Sequence, residues 1–170
     1  HQGWLTEDHK YFLCNDELDE YYDGINTSTY IWDLSNLENP TLINVHDHGT
    51  PNIDHNLYIK GQYVYQSHYT AGLRIHDIIN ISDGIMEEVA FFDIHPQNDG
   101  TTFDGTWSNY PFFDNNIIIV SGIGDGGNLE SGGLFILQFN EPSYPELDLS
   151  YDDSIMETTL SIGENENYQL

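Results

Sequence analysis

The sequence predicts an all-β protein, a partial β-propeller of about three four-stranded blades with a short C-terminal β-type extension. Three observations carry this reading. Short runs rich in Tyr, Ile, Val and Phe are bounded by Gly, Asn, Asp and Pro, the pattern of strands and turns. No segment keeps a helical apolar period with caps. The runs also recur as a set: His1 to His55 spans 54 residues and His55 to Trp107 spans 52. A four-strand unit repeating at roughly 50 residues marks a propeller blade.

The first unit runs from His1–Leu5 through Tyr11–Asn15 and Thr29–Leu34 to Thr41–His46. The second runs through Asn56–Lys60, Tyr63–His68, Leu73–Ile78 and Glu88–Ile94, with Gly61-Gln62 and Ala71-Gly72 at hairpin spacing. The third holds Trp107–Tyr110, Asn116–Ser121 and Leu134–Phe139. Residues 1–139 therefore form the blades and 140–146 a linker. Residues 147–170 form an acidic tail or the start of a truncated β-sandwich, with strand-like runs at Leu147–Tyr151 and Thr158–Ile162. Three blades do not close a ring, so their open edges favour self-association. The chain opens inside a motif at His1 without an initiator Met and reads as a piece of a longer protein.

Composition narrows the partners. Three basic and 29 acidic residues give a formal net charge of −26, which repels phosphate backbones and anionic bilayers. Nucleic acid is therefore excluded as a partner. An aromatic content of 14% argues against acidic disorder. No apolar run is long enough to span a bilayer. Cys14 is the only cysteine, so neither an intrachain disulfide nor a Cys-based zinc cluster forms; within Phe12-Leu13-Cys14 it reads as core. Acidity with so few lysines fits a protein facing salty water, where ions screen self-repulsion.

Several stretches in combination resemble a known group: His1-Gln2-Gly3-Trp4-Leu5-Thr6-Glu7-Asp8, Asp16-Glu17-Leu18-Asp19-Glu20, Asp54-His55-Asn56-Leu57-Tyr58 and Ala71-Gly72-Leu73-Arg74-Ile75. Tyr30 to Pro40 (YIWDLSNLENP) adds a strand-turn-Pro pattern. Over residues 1 to about 138 the chain resembles the choice-of-anchor B proteins, bacterial surface or secreted proteins built from LVIVD-type propeller repeats. The resemblance implies an extracytoplasmic propeller joined to a variable anchor. It implies no particular activity.

The blade starts are the first candidates for chemistry. His1-Gln2, His55-Asn56 and Trp107-Ser108 hold equivalent positions, so they are expected to converge at one rim as a ligand-binding site. The alternative is that they merely tie neighbouring blades. Two histidines with Asp54 would suit Zn²⁺. The second candidate is the acidic loop Asp16, Glu17, Asp19, Glu20 and Asp23, whose hard oxygens suit Ca²⁺; the alternative is a solvated acidic loop. Ca²⁺ fits the carboxylates better than Zn²⁺ does. In the Gly-rich loop Gly122–Asn128, Asp125 and Asn128 offer lesser calcium ligands, while a phosphate loop would need a Lys and a following helix.

His46 and His48 lie two apart on a strand end and so face one side, placed to chelate a metal or simply exposed; His68 and His76 lie on neighbouring strands. Trp107, Tyr110, Tyr21 and Tyr22 would stack on sugars. Together these features predict a secreted or cell-surface binding module with a divalent cation or small ligand at the blade-start rim. The alternatives are an extracellular hydrolase using metal or carboxylates on that rim, and a purely structural spacer.

Overall fold

A computed structural model describes residues 2–124 and 132–142. Within them the chain forms three antiparallel sheets in which consecutive strands are neighbours. The first contains β1 (Gln2–Leu5), β2 (Tyr11–Asn15), β3 (Ser28–Asp33) and β4 (Thr41–Asp47). The second contains β5 (Asn56–Lys60), β6 (Tyr63–His68), β7 (Gly72–Asp77) and β8 (Glu87–Phe92). The third contains β9 (Gly105–Tyr110), β10 (Ile117–Ile123) and β11 (Gly133–Gln138). All-β architecture follows directly. The third sheet has three strands among the described residues where the blade pattern leads one to expect four. The expected strands Leu147–Tyr151 and Thr158–Ile162, like His1, lie outside the described residues.

The repeat is visible in the register. Bulges fall between Ile31 and Trp32 against β4, and between Ile75 and His76 against β8, the same place in both sheets. The second sheet is sandwiched, and the two-residue period of its strands supplies both of its faces. Leu57, Ile59 and Val64 pack on Leu13 and Ile31 of the first sheet. Tyr63, Tyr65, Leu73 and Ile75 pack on Ile118, Val120 and Phe139 on the other side. Every residue of β6 is consequently buried. Fully burying such an aliphatic side chain contributes about 1.5–3 kcal/mol.

Two local outcomes differ from the sequence reading. The acidic loop contains a helix, α1 (Asp19–Asp23), a single turn too short for a periodic signal and closed by Gly24 at φ +66°. Cys14 is half-buried rather than core, because it faces away from the side of β2 on which Leu13 is buried.

A close crossing fixes the rim between the second and third sheets. Thr106 N–H donates to the Tyr69 carbonyl at 2.8 Å. Gly105 sits beside it at φ +93°, where a Cβ would run into that same carbonyl oxygen.

Candidate functional site

The segments expected to open each blade, now the first strands of the three sheets, occupy one register position. Gln2 lies opposite Asn15, Asn56 opposite Ser67, and Ser108 opposite Ser121, each on the first strand of its sheet. Two of the three come together. Asn56 Nδ2 donates to Ser108 Oγ at 3.0 Å and to the Trp107 carbonyl at 3.3 Å. The His55 ring lies against Trp107, with centroids 4.2 Å apart. Gln2 instead lines a shallow groove on the first sheet with Cys14, Asp16 and Trp32.

The acidic segment reaches the same rim. Tyr69 Oη donates to Glu17 Oε1 at 2.6 Å, and His55 Nε2 stands 4.0 Å from that oxygen. Aromatic rings continue outward: Tyr69 meets Phe103 at 5.4 Å, Phe103 meets Tyr21 at 5.7 Å, and Tyr21 meets Tyr22 at 5.3 Å. With Trp107 and His55 this makes an unbroken path of six rings, exposed at Tyr21, Tyr22, Phe103 and Trp107.

Helix α1 sorts the acids. Asp19 and Glu20 turn inward, while Tyr21, Tyr22 and Asp23 stay exposed. Glu20 is 2% exposed and Asp54 is fully buried. Asn15 Nδ2 donates to Asp54 Oδ2 at 2.8 Å. No donor group among the described residues reaches either Glu20 oxygen, Asp19 Oδ1 or Asp54 Oδ1; the Asp19 and Glu20 carboxyls hydrogen-bond each other when one of them holds a proton. Burial, reinforced by the charges of Asp54 and Asp19, pushes Glu20 up to about 9. Burial raises Asp54 to about 7, against the Asn15 hydrogen bond that lowers it. Asp19 is raised by burial as well. The five acids therefore do not act as one loop: Asp23 points outward, Asp16 and Glu17 are half-buried, and Asp54 joins the inward pair.

A separate cluster lies between the first and second sheets. The rings of His46 and His48 are 4.7 Å apart, His48 and His76 4.9 Å, and His48 and His68 4.8 Å. Among the described residues, His46, His48 and His76 form a group of three candidate ligands, with one nitrogen of each within 4.8 Å of the others. The sequence placed His46 and His48 on one side, as observed. It did not bring His76 to them, because that contact crosses two sheets. His68 and His76 do not pair directly: His68 opposes Gly72 and His76 opposes Val64. Burial drives the pKa of His76 down to about 3 and those of His48 and His68 well below the usual histidine range. At neutral pH these imidazoles are uncharged, the form that binds metals. Asp125 and Asn128 lie outside the described residues.

Compared with known proteins, the chain matches no family model, no curated protein and no solved structure.

Proposed function

We propose that the chain is part of a secreted or cell-surface β-propeller of the choice-of-anchor B type. On this reading it is a non-enzymatic binding module. Its ligand lies along the aromatic path at the blade-start rim, and a divalent cation sits among the carboxylates beneath. The observation that carries the reading is Glu20, 2% exposed beside Asp54 and Asp19, with no donor group reaching either of its oxygens. A buried carboxylate needs a proton or a cation. Oxygen-only ligands favour Ca²⁺ over Zn²⁺. The raised Glu20 and Asp54 also resemble a hydrolase's acid–base pair, but at 2% and 0% exposure neither of these two is open to a substrate. Binding is therefore the better reading.

Thermal unfolding with Ca²⁺, with Zn²⁺ and with a chelator tests it. A cation held only by the native state should raise the midpoint by about 5–10 °C at a hundredfold excess over Kd. Ca²⁺ should do this in the native chain and fail in Glu20→Gln. A folded sample indifferent to Ca²⁺ would remove the cation from the proposal and leave the aromatic rim alone.

A further inference from the structure

We infer that His46, His48 and His76 form a transition-metal site, best suited to Zn²⁺, that clamps the first sheet to the second. The site is separate from the carboxylates of the rim.

The repeat supplies an internal control. Register pairs carry each interface position of the second sheet onto the third and each of the first onto the second. Val64 pairs with His76 as Ile118 pairs with Leu137, so His76 corresponds to Leu137. Thr29 pairs with His46 as Leu73 pairs with Phe92, so His46 corresponds to Phe92. By the same mapping Gln66 corresponds to Val120. At the interface of the second and third sheets these places are apolar, and Phe92 meets Phe135 at 6.4 Å. The fold therefore places Phe and Leu here, Leu137 half-buried and Phe92 still 42% exposed. Burying imidazoles in their place costs desolvation and is not needed to close the interface.

One ligand is also oriented. His48 Nε2 lies 2.9 Å from Thr29 Oγ1, and His76 Nε2 lies 4.0 Å from Glu88 Oε2. A hydrogen bond on one ring nitrogen fixes the ring and leaves the other for a metal; the 2.9 Å contact does this for His48, while Glu88 stands beyond hydrogen-bond reach of His76. His76 Nδ1 is left buried with no hydrogen-bond partner. The positive charge of Arg74 is offset locally by Glu88, 3.3 Å away. Tetrahedral Zn²⁺ with Zn–N of about 2.0–2.1 Å needs nitrogens about 3.4 Å apart. The present spread is up to 4.8 Å, so on this proposal the rings would draw together by about 1.4 Å on binding. His46 and His48 are half-buried, which leaves an approach from solvent; a water would complete the set.

The test is zinc stoichiometry by equilibrium dialysis, together with thermal unfolding of the untagged chain. The double variant His46→Phe, His76→Leu copies the neighbouring interface, so it should fold at least as well without metal. The native chain should bind one Zn²⁺ with a midpoint rise of about 5–10 °C at a hundredfold excess over Kd. The double variant should bind none. Glu20→Gln should keep the full response to Zn²⁺, which separates this site from the rim. Co²⁺ should give the intense visible bands of a tetrahedral site in the native chain only. Absence of stoichiometric zinc in the folded native chain, or an undiminished response in the double variant, would overturn the proposal.

Discussion

Replacing Glu20 by Gln should change how stability depends on pH. Glu20 is 2% exposed and its carboxyl titrates at about 9 in the fold, against 4.5 in an open chain. Between those values the folded protein holds a proton that the unfolded chain has released. Stability from this group is therefore full below about 4.5 and is lost as pH rises toward 9. The slope is about 1.4 kcal/mol per pH unit, so from pH 6 to pH 8 the native protein should lose roughly 3 kcal/mol through the Glu20 carboxyl and the Asp19 carboxyl coupled to it. Gln keeps the shape and neutrality of the protonated acid and removes the titration. Urea unfolding of both proteins at pH 6 and pH 8, without divalent cations, measures the effect. The advantage of Glu20→Gln over the native chain should grow by roughly 3 kcal/mol between the two pH values. An advantage that stays constant would show that Glu20 is ionised inside the fold and that its burial is relieved in some other way.

His76 should act in the opposite direction. Its pKa falls to about 3 from 6.5, so its stabilising effect is complete above 6.5 and is lost as pH falls toward 3. Between pH 7 and pH 5 that amounts to about 2 kcal/mol, and His76→Leu should remove it from acid unfolding curves. Tyr69→Phe deletes the hydroxyl that donates to Glu17 at 2.6 Å, and should cost about 1–3 kcal/mol in urea unfolding. Ile31→Ala empties a fully buried position between the first two sheets and should cost about 2–5 kcal/mol; a loss below 1 kcal/mol would mean that those sheets do not pack face to face. Trp107→Ala opens the exposed end of the aromatic path and should weaken retention on immobilised oligosaccharides; losing the contacts with His55 and Tyr69 should also lower the unfolding midpoint, so retention is compared at a temperature where both proteins are folded.

The sequence by itself determined what depends on neighbours along the chain. The strand runs of β2, β5, β6 and β10 are legible as short Tyr-, Ile- and Val-rich segments between turn residues. The spacing from His55 to Trp107 made Asn56 and Ser108 register equivalents, and they meet at 3.0 Å. The pairing of His46 with His48 is equally local, since residues two apart on a strand share a face. What only the tertiary structure decided lies across sheets or within one turn. Helix α1 is too short to leave a periodic signal, yet it turns Glu20 inward and Asp23 outward, dividing an acidic run that reads as uniform. His76 joins His46 and His48 because two sheets stack with those positions facing, a contact set by packing between chain segments about 30 residues apart. The mapping of His46 onto Phe92, and of His76 onto Leu137, emerges only once strand register is known. Strand pairing is legible from periodicity, but the stacking of one sheet on the next is set by burial, and burial chooses among faces that the sequence leaves equivalent.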